Sequence, residues 1–388
     1  KFLSSESYES CARSLNRVKL KRFLLSIALL IAAMPSAQAA VTPKAMVQLT
    51  QVDSAATGVV ASGSQIMVYG NREKNGFAQL VNGPTIELSA GAESFVSAAT
   101  VDATGNFYLF GASSNPIVGT VPPISGVLNP DNVVPDPVSS DKSDAINLIY
   151  WKLDATGKLL DTQMMAMPFA TIPYTALVDS VGITVAGSSY NDPGSNAFVV
   201  NWAAKPTFIG KSFTSIYGIA RSADGGVIAV GQSRDKLLAT TLKGKTDGFL
   251  AKITNGKLTS VQRSSDTGAN RAWRTTTSTL LLGGYSNSTA AITKFNSSFI
   301  PTWTDRYPSN GSALTATVGK VNYGAFVSMG AVKALPVWKK KSAILVLTFD
   351  GKGLITGANY VNSPQLTGFT ANSALGPIVL SGGFLYRA

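Results

Sequence analysis

From residue 45 onward the chain alternates short apolar runs with polar, glycine-rich turns, and one run keeps returning. Its clearest form is Val227-Ile-Ala-Val-Gly231, four strand-forming or small residues ended by glycine. The same shape stands at Ile66-Met-Val-Tyr-Gly70, Phe107-Tyr-Leu-Phe-Gly111, Ile183-Thr-Val-Ala-Gly187 and Leu280-Leu-Leu-Gly-Gly284. Looser copies end at Gly330 (Phe326-Val-Ser-Met) and Gly382 (Ile378-Val-Leu-Ser). Apolar at nearly every position and bounded by turns, each run predicts a strand buried on both faces. The closing glycine is expected where a side chain would be in the way.

The surroundings of each run repeat as well. An inner strand such as Ser215-Ile-Tyr-Gly-Ile-Ala-Arg221 leads into a turn, then comes the glycine-ended strand, a variable loop, a third strand, and a turn into an outer strand. The turns read Asp102-Ala-Thr-Gly105, Asp179-Ser-Val-Gly182, Ser222-Ala-Asp224-Gly225 and Asp154-Ala-Thr-Gly157, where Asp and Gly supply local hydrogen bonding and positive φ. Successive closing glycines lie 41, 76, 44, 53, 46 and 52 residues apart. A period of about 40–50 residues with four short strands per unit is that of a propeller blade. The long interval holds a Pro-rich insertion, residues 113–142, with Pro116, Pro122, Pro123, Pro130, Pro135 and Pro137. The expected fold is all-β, a β-propeller of seven four-stranded blades, with six or eight as alternatives. Too little chain follows Gly382 to finish the last blade, so residues 45–52 are expected to join it and close the ring, hiding its edges.

Two stretches, GNFYLFGASS…INLIYWKLDATGKLL and GGVIAVGQS…DGFLAKITNGKLTSV, resemble the SBBP-type β-propeller repeats of secreted bacterial proteins. The resemblance implies a propeller and an extracellular setting; that family has no single activity, so it implies no catalytic residue. The blades around Phe326 and Ile378 depart from the pattern. Gly283-Gly284 is a lone kelch-like pair without aromatic partners, and the His and Trp-Asp marks of WD repeats are missing.

The start of the chain changes the charge picture. Arg17, Lys19, Lys21 and Arg22 precede the apolar run 23–34, and Ala37-Gln-Ala39 follows. This order describes a secretory signal peptide, too short for a spanning helix, which needs roughly 20 apolar residues. Residues 1–39 are read as signal peptide plus an N-terminal extension, with Val18 as an alternative start, and residues 40–388 as the folded domain. Six Lys/Arg and two Asp/Glu fall before the cut, so the net charge of +12 overstates the domain, which carries +8. The single cysteine, Cys11, also precedes the cut, which leaves no disulfide, thiolate ligand or lipid-bearing cysteine in the domain. The expected location is outside the cell or at its surface, or the periplasm of a Gram-negative host, as a monomer with no transmembrane span.

The sequence has no histidine. Ser-His-Asp and Cys-His hydrolysis and most zinc sites are thereby excluded, no cofactor is implied, and carboxylate chemistry is what remains. Inner-strand charges are few: Asp53, Glu93 and Asp179 against Arg221, Arg271 and Arg274. A sialidase-like glycosidase working at the axial channel is the alternative function, supported by one partial Asp-box match at residues 222–226. The leading expectation is a non-catalytic binding module. Loop 232–247 carries Arg234, Lys236, Lys243 and Lys245; loop 331–342 carries Lys333, Trp338, Lys339, Lys340 and Lys341. A cationic loop with a tryptophan suits an anionic polysaccharide or another envelope polymer through charge and stacking, a protein partner being the other possibility and nucleic acid excluded by export. The insertion, with Asp131, Asp136, Asp141 and Asp144, would oppose these loops in sign and arch over the channel mouth. Lys152, Lys252 and Lys294 recur on the third strands and read as solvated outer positions, not as a ring of ligands.

Overall fold

A computed structural model of the protein describes residues 40–114, 145–191 and 194–388. Among these residues every regular element is a strand, and no helix is long and apolar enough to cross a membrane. The strands form seven sheets in which hydrogen-bonded neighbours follow chain order, apart from two N-terminal strands that join the last two sheets. Blades 1 to 7 occupy residues 56–88, 94–166, 170–209, 214–264, 271–308, 314–361 and 368–387. The first strand of each blade touches the first strand of the next, and the seventh returns to the first. The chain is a seven-bladed β-propeller whose first strands surround the axis.

The recurrent apolar runs behave as their pattern demands. All seven residues of Phe107–Ser113 and of Val227–Ser233 are buried. Their side chains alternate between two neighbours, as strand geometry requires. Phe107 and Leu109 pack with Met67 and Ala78 of blade 1, while Tyr108 and Phe110 pack with Val185 and Phe198 of blade 3. Seven apolar clusters result, one at each interface around the ring. Each such side chain contributes about 1.5–3 kcal/mol on burial, so every blade leans on both neighbours.

The glycines that end the runs face a specific obstacle. In blades 1 to 5 the first strand carries a bulge. In blade 4, for example, pairing passes from Ile216–Gly231 to Gly218–Val230 and leaves Tyr217 as the extra residue. The extra residues of the other four blades are Thr57, Ser97, Tyr174 and Arg274. A Cβ on Gly70, Gly111, Gly187, Gly231 or Gly284 would overlap a carbonyl oxygen in the first strand or just before it, that of Ala55, Phe95, Ile172, Ser215 or Ala272 respectively. A bulge in one strand thus dictates a glycine in its neighbour. The two looser copies do not share this arrangement. Gly330 lies beyond its strand with open space around it, Gly382 sits in a turn at φ 55°, and the first strands of blades 6 and 7 pair without interruption.

Ring closure matches the expectation in kind and corrects it in detail. Val47–Gln51 pairs antiparallel with Phe384–Arg387 and completes blade 7. Ala45, expected in the same strand, instead pairs in parallel with Tyr360, and with Lys44 opposite Asn359 it forms a fifth strand of blade 6. Met46, buried between the two blades, sends its N–H to Tyr360 O at 2.9 Å. The Asp turns form as read. Asp102 accepts from the N–H groups of Thr104 and Asn106, and Asp154 from those of Thr156 and Lys158. The segment read as a signal peptide, residues 115–142 of the insertion, and Asp144 lie outside the described residues.

Candidate functional site

The loops between second and third strands share a face with the connections between blades. Arg234 N–H bonds to Phe213 O, and Asn287 N–H to Asn270 O. On this face the blade 4 loop is folded by its own acids. Asp235 accepts from the N–H groups of Lys211, Ser212 and Phe213 and from the hydroxyls of Ser212 and Thr214. Burial acts to raise the Asp235 carboxyl, but these hydrogen bonds more than offset it and hold the group well below the usual carboxylate range. Asp247 is fully buried, accepts from the N–H groups of Lys243 and Gly244, and pairs with Arg263 at 3.2 Å. Leu237, 2% exposed, pins the loop to the core. Both acids therefore face inward, while Lys236, Lys243 and Lys245 are exposed. The Arg234 guanidinium lies 4.1 Å from the centroid of the Phe213 ring and donates to Thr246 Oγ1.

The blade 6 loop uses apolar anchors instead. Val332, Leu335 and Trp338 are buried among Leu281, Phe326 and Leu345. The indole N–H of Trp338 donates to Ser328 Oγ at 2.9 Å. Trp338 was expected to stack on a ligand; at 3% exposure with its N–H satisfied, it is a core residue that holds the loop down. Lys333, Lys339, Lys340 and Lys341 stay exposed around it. Lys340 lies 3.9 Å from the Tyr360 ring centroid and donates to Asn362 Oδ1. The cations of blades 4 and 6 stand on either side of blade 5, whose corresponding loop is only residues 287–288. Each loop has its own anchors, chiefly carboxylates in blade 4 and apolar side chains in blade 6.

Other sequence candidates resolve as scaffold. Lys252 pairs with Asp224 at 2.6 Å, Lys294 donates to Thr279 O, and Lys152 lies over the Tyr108 ring. These third-strand lysines bind residues of their own blades. Asp224, in the partial Asp-box turn, accepts from Lys252 and the Gly226 N–H and is pulled down to about 2. Among the inner-strand acids, Asp53 pairs with Arg72 and Asp179 with Arg221 at 2.8 Å. Burial acts to raise Asp179, yet hydrogen bonds from Arg221 and the Val181 N–H bring it net below its ordinary value. An acid held ionised in this way does not supply the raised-pKa proton donor of a glycosidase.

The axial mouth holds an array that the sequence reading passed over, apart from noting Arg274 as an inner-strand charge. Three of the five bulge residues are Tyr174, Tyr217 and Arg274, on consecutive blades. The rings of Tyr174 and Tyr217 lie 5.0 Å apart, and the Tyr174 and Tyr190 hydroxyls are 3.2 Å apart. Gln232 donates from its amide to the Tyr217 hydroxyl and accepts from that of Tyr285. The Arg274 guanidinium lies 3.9 Å from the Tyr217 centroid and 5.8 Å from that of Tyr285. The signal was present in five of the closing glycines, each of which marks a bulge opposite. Which first-strand residue the bulge would extrude depends on register, which the sequence does not state.

No family model matches the chain, and no curated protein matches it. Solved structures do. A chain in the crystal structure of the mitotic checkpoint complex superposes with a TM-score of 0.51 at 9% identity, over 92% of this chain and 97% of that one. The WD40 domain of Toxoplasma gondii coronin gives a TM-score of 0.49 at 9% identity, over 90% and 87%. At 9% identity the first of these likenesses shows the fold alone.

Proposed function

We propose that this chain is a non-catalytic binding module, exported from the cell, whose loop-bearing face takes an anionic polymer of the envelope or its surroundings. One observation carries the reading: in the blade 4 loop both carboxylates are spent on folding the loop, so its lysines project from a fixed support. Pre-set cations bind a polyanion without first paying for loop ordering. The blade 6 loop presents Lys333 and Lys339 to Lys341 from an equally anchored base. Export rests on the basic-apolar-small order of residues 17–39, and the SBBP-type repeat resemblance agrees with it. The pairing of Asp53 and Asp179 with arginines weighs against the glycosidase alternative.

The test is a titration of the full chain with polygalacturonate and with heparin at about 50 mM and 500 mM salt, where screening lengths differ severalfold. Affinity should fall steeply with salt. Replacing Lys339, Lys340 and Lys341 together by Ala should weaken binding by about tenfold, at roughly half a kcal/mol per surface charge. Variants of both loops that bind like the parent would remove the loop face from the account.

A further inference from the structure

Apart from the exposed Arg387, the other arginines in the described part of the ring have partners. Arg72 pairs with Asp53, Arg221 with Asp179, Arg263 with Asp247, and Arg271 and Arg306 with Asp266; Arg234 donates to Thr246. Arg274 is half-buried at the mouth, and among the described residues no acceptor or carboxylate meets its N–H groups. It lies against the Tyr217 and Tyr285 rings, whose centroids are 3.9 and 5.8 Å away, and neither ring uses its N–H groups as an oxygen acceptor would. Five unused donors in a partly desolvated fork are unfavourable to hold, and a carboxylate is the group whose two oxygens match that fork.

We propose that Tyr174, Tyr190, Tyr217, Gln232, Arg274 and Tyr285 form a receptor for one uronic-acid unit of a saccharide, its carboxylate on Arg274 and its ring against the tyrosines. Tyrosine suits this ligand class because it offers a flat apolar face and a polar tip. Gln232 ties Tyr217 to Tyr285, and the bulges fix Tyr174, Tyr217 and Arg274 on the scaffold, so the rings are set before a ligand arrives. Burial raises the Tyr174 phenol, which keeps it protonated and able to donate. An acidic peptide fits less well. Strand addition needs an even pairing edge, and the bulges interrupt the inner edges of blades 3, 4 and 5 at this level. The receptor stands on side chains other than the loop lysines, so the two readings fail separately.

The experiment titrates the full chain, at about 300 mM salt to suppress the loop cations, with tetragalacturonate, its methyl ester and tetraglutamate. The acid should bind, and the ester should be weaker by about tenfold or more, the scale of a charge-assisted bidentate pair. Arg274→Lys, which keeps the charge but loses the fork, should erase the preference for acid over ester. Tyr190→Ser, at an exposed position, should weaken both sugars and serves as the readout if Arg274→Lys lowers the melting temperature. The Lys339/Lys340/Lys341→Ala variant should keep the preference. Absence of tetragalacturonate binding, an ester that binds equally, tetraglutamate that binds as tightly, or a preference abolished by the lysine changes would each overturn the proposal.

Discussion

Blades 1 to 5 and blades 6 and 7 solve the same packing problem in different ways. In the first group a glycine in the second strand makes room for a bulged first strand, and the bulge inserts an extra residue into the strand that lies nearest the axis. In the second group the first strands are shorter and regular, Leu314–Val318 and Gly368–Asn372, and contribute no extra residue. Blade 6 is held to blade 5 by hydroxyls: Thr315 bonds Thr275 through both N–H and Oγ1, and Thr317 bonds Thr277. Blades 6 and 7 also borrow strands from the far end of the chain. The bulged blades carry the side chains of the proposed receptor, and the regular ones carry the closure of the ring.

The largest effect should come from removing the borrowed strands. Deleting residues 44–51 exposes the outer edges of blades 6 and 7 together with the Met46 site. The melting midpoint should fall by about 10 °C or more, at roughly 2–4 °C per kcal/mol. Hydrogen exchange should accelerate first in residues 314–387, and acceleration spread evenly over all blades would break the comparison. Next in size, Trp338→Ala should cost about 3–5 kcal/mol in urea unfolding, as a buried aromatic does. A cost below about 0.5 kcal/mol would return Trp338 to the surface and to the ligand.

Within the bulged group, Asp235 gives a pH signature. Its folded pKa is depressed, so its contribution is fully present above about pH 4 and is lost as pH falls through the folded value. Asp235→Asn should cost about 1–2 kcal/mol at pH 7, allowing for partial exposure, and the gap to the parent should narrow in urea melts below pH 4. A gap that stays constant down to pH 3 would deny the carboxylate its anchoring role. The smallest effect is at the seam between the groups. Thr315→Val should cost about 1 kcal/mol, one net hydrogen bond, and no measurable cost would mean that the threonines do not join blade 6 to blade 5.

Much of this architecture was legible in the chain because it depends on local chemistry. Apolar pentads announced the buried second strands, Asp102 and Asp154 announced their turns, and the short residue count after Gly382 announced the borrowed strand. The limits have physical reasons. Gly330 and Gly382 match the pattern in one dimension, but a glycine after a strand obeys turn geometry, not the clearance a bulge requires. Trp338 sits between lysines in sequence, yet burial is decided by the loop's return to Ser328, which no local pattern encodes. The Tyr174–Tyr217–Arg274 arc unites residues 100 positions apart, and only the ring brings them together.

The most direct measurement is a set of urea midpoints for Gly70, Gly111, Gly187, Gly231 and Gly284, each replaced by Ala, beside Gly330→Ala. None of the six has positive φ, so the comparison isolates the added carbon. Each of the five should lose about 1–3 kcal/mol through overlap with the facing carbonyl, while Gly330→Ala should stay within about 0.5 kcal/mol of the parent. Five variants as stable as Gly330→Ala would contradict the pairing of glycine with bulge on which the axial mouth depends.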